Sequence, residues 1–371
     1  MAHLRPAVRR ALTVASLTAV VAAASAAILA DADPAEAARI TATCANNSGD
    51  AATIQSVIDG SDEGDEIVID GPCLITSTIL LAGDRTYRGE SPTTLLKQAD
   101  GRNLPAVVAS RSWADGDEDD PSADGRIVLR DLTIDANSAG NPQGGDGVLI
   151  RAWGSIIENL HIQNAKANGL RITSVARNGA VVPQGGMVNG RIHGLFIDQS
   201  GQNGIYVEEG DNAVTDWNLT ETWVDETGGD AIKLENSAGW VIERNHVYEV
   251  GGAGINADRL YATTISDNYV EDFATYGIEV AVQGDAASTI AGNRVFQFSG
   301  SGTTYVAITG VNYDTGNVAV TGNVIRGNGS GTGLSYQRGG NQLTVTSTGN
   351  LVTDVTTQRS VGSGVTVNAG V

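Results

Sequence analysis

The chain has 371 residues, among them 47 glycines, and 43 acidic against 23 basic side chains give a net charge of −20. That balance, with no basic tract, excludes nucleic acid as a partner and works against long-range attraction of any polyanion. Four histidines and two cysteines, none at ligand spacing from another, give no metal centre built on His and Cys.

Residues 1–37 read as a secretory signal peptide. Arg5, Arg9 and Arg10 precede an apolar run, and an Ala-x-Ala ends at Ala37. The run Ala11 to Ala30 is long enough to span a bilayer, so an uncleaved anchor is the alternative. Arg9-Arg10 alone is a weak twin-arginine signal. The mature chain, 38–371, is therefore expected to be secreted, with no membrane contact after cleavage. In an exported protein the pair Cys44 and Cys73 reads as a disulfide stapling the N-terminal region. "DGDEDD" at 115–120 lacks the turn glycine and closing glutamate of a full calcium loop and reads as a solvated acidic loop.

From residue 40 onward one phrase recurs: an aliphatic, a turn often carrying Asn, then a closing aliphatic. "VIERNHV", "TISDNYV", "TIAGNRV" and "VAVTGNVI" are examples. The closing residue falls at Ile134, Ile162, Ile197, Val224, Val247, Val270, Val295, Ile325 and Val352, at intervals of about 23–35 residues. Between them runs a second phrase: "DGVLI", "NGLRI", "NGIYV", "AGINA", "YGIEV", "TGLSY". Alternating strands with Gly/Asn turns at this period predict an all-β, single-domain β-solenoid of about nine or more coils, since helical 3.6 periodicity is absent. No proline follows Pro183 to interrupt a ladder. The largest insertion is "VARNGAVVPQGG", 175–186. Asn245, Asn268, Asn293 and Asn323 share one repeat position and predict an asparagine ladder at a bend. His161 and His246, with Tyr269 and Arg294, fall on the wall just after it, and His193 on the preceding strand. These histidines read as structural.

With these repeats the chain resembles the pectate-lyase-like right-handed parallel β-helix proteins, mostly secreted polysaccharide lyases and glycoside hydrolases. Its stretch from "SGDAATIQSVIDG" is similar to their N-terminal cap, a short helix followed by the first coils, at about 45–75. The resemblance implies a polysaccharide substrate, a groove along the sheet of the second phrase, and a monomer or homotrimer.

In that phrase aliphatics face inward, so the residues between them face out and stack about 4.8 Å apart. One outward column reads Leu149, Arg171, Tyr206, Lys233, Asn256, Glu279, Ala307, Ser335. The next reads Arg151, Thr173, Glu208, Glu235, Asp258, Ala281, Thr309, Gln337. Charge concentrates in the middle and fades at both ends. A solvated face is the plain alternative. Clustered carboxylates are unfavourable unless paired or used, which favours a site.

"GGDAIKL" resembles the Asp-Asp stretch of polygalacturonases, with Gly229 in place of the first aspartate, but their Gly-His-Gly and Arg-Ile-Lys signatures are missing. "IKLENSAGWVIERN" is similar to the catalytic-lysine stretch of alginate and chondroitin lyases. That resemblance implies Lys233 as base and Arg259, one residue out of phase, as its assisting arginine. Three functions follow. The first is a lyase acting on a uronic-acid glycan by β-elimination. Lys233 or Tyr206 is its base; Arg171, Arg259 or a Ca²⁺ held by Glu208, Glu235 and Asp258 neutralises the uronate. The second is a glycoside hydrolase or intramolecular glycosyl transferase using Glu208 with Glu235 or Asp258, roughly 5 or 9–10 Å apart. The third is a non-catalytic glycan-binding solenoid. Arg151, Arg171, Asn256 and Glu279 are the expected substrate-binding residues. No cofactor other than Ca²⁺ is indicated.

Overall fold

The computed structural model describes residues 37–116, 122–299 and 303–370. The predicted signal peptide lies outside them except for Ala37, as does the acidic loop from Asp117 on.

The described residues form a solenoid of parallel strands. Eleven strands, from Ile79–Leu81 to Thr357–Val361, make one sheet. Twenty-two more make a second, which bends within each coil: Val241–Glu243, for example, turns at Asn245 into His246–Val250. Strands of each coil pair with the next in parallel register, as Ile232↔Ile255 and Val247↔Val270 show. Period-two burial follows the sequence pattern: in Ile205–Glu208 the two aliphatics are buried and Tyr206 and Glu208 half-buried. The interior is a continuous aliphatic column from Ala42 to Val345. Trp217 and Trp240 stack inside it at 5.8 Å, each indole N–H donating to a backbone carbonyl, of Met187 and Val214.

The predicted asparagine ladder is present and one rung longer. Each Nδ2 donates to the next Oδ1, from Asn245 through Asn268, Asn293 and Asn323 to Asn350, at 2.9–3.0 Å. The residues just before the rungs, Arg244, Asp267, Gly292, Gly322 and Gly349, have φ between 55° and 66°. This left-handed step is what turns the chain from one strand to the next.

The N-terminal end is covered by the helix Asp50–Asp59, which buries Ala51, Ile54 and Ile58. Asp50 accepts N–H bonds from Ala45, Asn47 and Leu74. Burial pushes its carboxyl up, but these bonds outweigh that and hold it below the ordinary range. Cys44 and Cys73 form a disulfide beside the helix. Pairing begins earlier than the expected cap: Arg39–Thr43 already lies parallel to Glu66–Asp70, burying Ala42. The insertion at 175–186 folds back on itself through an antiparallel bridge, Val175↔Val181.

Candidate active site

The outer face of the eleven-stranded sheet carries the first column in unbroken register: Leu149, Arg171, Tyr206, Lys233, Asn256, Glu279, Ala307, Ser335. The second column is regular through Thr173↔Glu208, and Glu235 follows where its N–H donates to Val207 C=O. At Asp258 the register shifts, between Ala257 and Leu260, so Asp258 and Arg259 sit on an irregular turn of strand.

Opposite charges are paired at one end of the patch. The Arg171 guanidinium bonds Glu208 Oε2 and lies 3.6 Å from Asp146. Thr173 Oγ1 donates to the same Glu208 oxygen. Burial alone would lower the Arg171 pKa; Glu208 and Asp146 reverse that and fix its charge. One coil on, the Tyr206 hydroxyl donates to Glu235 Oε1 at 2.5 Å, and Glu235 Oε2 accepts the Glu209 N–H. Burial first, then the Glu235 bond and charge, push the Tyr206 phenol far above its ordinary value, so it keeps its proton.

Lys233 is half-buried in the centre, its Nζ 5.7 Å from the centroid of the Tyr206 ring. Among the described residues it makes no ion pair. On its far side are Asp258 and Glu279. Burial raises both carboxyls. Glu235 and Asp230 raise Asp258 further while Lys233 offsets part; Asp230 and Asp258 raise Glu279. Asp230 is held in place, accepting from Ala253 N–H and Asn256 Nδ2.

Asp230 ends a second polar ladder, which sequence reasoning missed. Asn168 donates to Asp146, Asn203 to Asn168, and the Asp230 N–H to Asn203. These four residues each precede the recurring Gly/Ala-aliphatic phrase, so their shared position was visible in the sequence.

Four expectations change. Arg151 is fully buried: its guanidinium donates to the carbonyls of Ser112, Ser122 and Ser174, under the short helix Arg111–Ala114. It supports that helix and does not face a substrate. The Ca²⁺ set is not assembled. Glu208 turns to Arg171 and Thr173, and Glu235 to Tyr206. Among the described residues no three acidic, His or Cys side chains gather to hold a metal ion. Arg259 reaches Gln283 Oε1 at 2.7 Å and lines a cleft of about 390 Å³ with Tyr261, Gly239 and Asn212, off the Lys233 column. The carboxylate pairs built on Glu208 are likewise not free, because Arg171 neutralises that member.

The sequence model of the right-handed β-helix region matches residues 146–312 and 203–370, together more than half the chain. The chain belongs to the right-handed β-helix family. Solved β-helix structures agree with the fold. The A-module of the Azotobacter vinelandii mannuronan C-5 epimerase AlgE4 is 14% identical, with a TM-score of 0.56 over 87% of this chain and 97% of that one. The Agl-KA catalytic domain is 13% identical, with a TM-score of 0.59 over 91% and 69%. The Dettilon tailspike protein gp208 is 13% identical, with a TM-score of 0.50 over 84% of this chain. The chain spans 64% of that tailspike. No curated protein matches the sequence.

Proposed function

We propose that this β-helix protein is an enzyme acting on a polysaccharide along the Lys233 column, by β-elimination in a uronic-acid glycan. The observation that carries this reading is the neighbouring of an unpaired lysine amine and a protonated phenol, Lys233 and Tyr206, on the outer face of the eleven-stranded sheet. In its neutral form, Lys233 would take the C5 proton. The electron pair forms the C4–C5 double bond, the C4–O4 bond breaks, and O4 takes the Tyr206 proton. Glu235 orients the phenol. The raised carboxyls of Asp258 and Glu279, when protonated, hydrogen-bond the uronate instead of repelling it. The AlgE4 module, similar in fold, is by its name a mannuronan C-5 epimerase, which suits the same reacting centre. The signal peptide expected at residues 1–37 would place the reaction outside the cell.

The test is incubation of residues 38–371 with a panel of polyuronates, reading the ultraviolet absorbance of unsaturated ends. Absorbance is expected, with losses of about 10²-fold or more in Lys233→Ala and Tyr206→Phe. One observation favours hydrolysis instead: Asp258 and Glu279 are raised as a general acid should be. New reducing ends without unsaturated product, abolished by Asp258→Asn or Glu279→Gln, would replace elimination with hydrolysis. No product on any glycan would leave a binding solenoid.

A further inference from the structure

The strands that follow the asparagine ladder carry outward side chains for which the Lys233 column has no use. His161, Phe196, Trp223, His246 and Tyr269 occupy one column by register, and the row steps sideways to Phe296. Successive ring centroids are 4.9, 6.3, 4.0, 4.6 and 5.4 Å apart. Phe196 and Trp223 are 38% and 44% exposed. Single exposed aromatics are ordinary on a soluble protein, whereas a contiguous row six coils long marks a contact surface. At strand spacing the row spans about 24 Å along the solenoid axis.

The neighbouring outward column supplies carboxylates beside the rings: Asp198 pairs with Asp225 in register. Both side chains are half-buried, and among the described residues one oxygen of each, Oδ1, has no well-formed hydrogen bond. His161 Nε2 lies 3.5 Å from Asp198 Oδ1 without hydrogen-bond geometry. Carboxylates that are only partly covered can accept hydrogen bonds from a molecule lying on the rings. Burial raises both carboxyls.

Charge decides among occupants. A second copy would bring its own carboxylates and a net charge of −20 against this face. A polyuronate would set its own carboxylates beside Asp198 and Asp225, whereas at the Lys233 column it meets an amine and carboxyls raised toward the neutral form; nucleic acid is disfavoured here likewise. A sugar chain without carboxylates is not: its C–H faces pack on aromatic rings while its hydroxyls or amines donate to the flanking oxygens. A linear polymer, rather than a single sugar, matches the length of the row.

We propose that the row from His161 to Phe296 is a second, non-catalytic binding surface for a linear neutral or amino-sugar polysaccharide. It stands independently of any reaction at Lys233. It would hold the protein on one polymer while the other sheet meets a different one.

Affinity electrophoresis of residues 38–371 tests this, in gels containing β-glucan, mannan, xylan, chitosan or polyuronate. Retardation is expected in at least one neutral or chitosan gel. Trp223→Ala and Phe196→Ala should each weaken it by about tenfold, read as the apparent Kd. Asp225→Asn should weaken it too, and Lys233→Ala should leave it unchanged. Circular dichroism of each variant checks folding, and the exposed ring of Trp223 makes loss of fold unexpected. Retardation only in polyuronate, retardation equal in Trp223→Ala, or none across the panel would overturn the proposal. So would an oligomer in sedimentation that Trp223→Ala dissociates, which would assign the row to a second copy of the chain.

Discussion

Glu279 shows how the candidate site is strained at single residues. Burial, then Asp230 and Asp258, raise its carboxyl above the ordinary value of 4.5. The folded state therefore binds this proton more tightly than the unfolded chain does. Ionised Glu279 opposes folding at neutral pH; the opposition fades as pH falls through the raised value and is gone below 4.5. Glu279→Gln should then raise the Tm at pH 7 by roughly 1–2 °C, the small size reflecting a half-solvated group. The gain should disappear at pH 4. Thermal melts at the two pH values check this, and a lower Tm at pH 7 would mean that the fold depends on the carboxylate. The Lys233 column itself was legible, because period two assigns faces without knowledge of packing. Arg151 was misjudged for the complementary reason. Facing out of a coil is not facing water, and only tertiary structure reveals that Arg111–Ala114 and Ser122 lie over it. Side-chain pairing was equally hidden: nothing in the spacing says that Glu208 turns to Arg171 while Glu235 turns to Tyr206.

At the scale of elements, turns carry much of the specificity. The asparagine rungs announce themselves because a polar residue recurs where the closing aliphatics are two residues on; Asn350, two before Val352, obeys the same rule. Trp217 and Trp240 carry no such signal, since one apolar residue in an inner column looks like another. Asn268 is 1% exposed and donates to Ile242 C=O and Asn293, while its Oδ1 accepts from both nitrogens of Asn245. Asn268→Ala leaves those buried partners unsatisfied and should cost about 3 kcal/mol. Asn350→Ala breaks the end rung and should cost less. Urea unfolding of both variants checks the order. Equal midpoints would show that the ladder adds nothing beyond its individual turns.

For the whole molecule, a stack of coils is stabilised by neighbours, so its ends decide where it opens. The two ends differ. The first coils lie under the helix Asp50–Asp59 and are tied by Cys44–Cys73, a closure worth roughly 3–4 kcal/mol for a loop of this length. In the last described coil Leu351 and Val361 are 55% and 44% exposed, and an open cleft of about 1030 Å³ runs beside Val352 and Arg359. Among the described residues its strands Thr357–Val361 and Val365–Asn368 have a hydrogen-bonded neighbour on one side only. Amide exchange should therefore begin at 343–368 and move inward, with the Asn245–Asn293 region last and the N-terminal coils protected. Replacing both cysteines by serine should make 39–75 exchange early as well, while leaving the order from the other end intact. Uniform exchange along the chain would instead mean that the solenoid opens in one cooperative step. The site would then share the global stability, and strain at Glu279 would be felt from end to end.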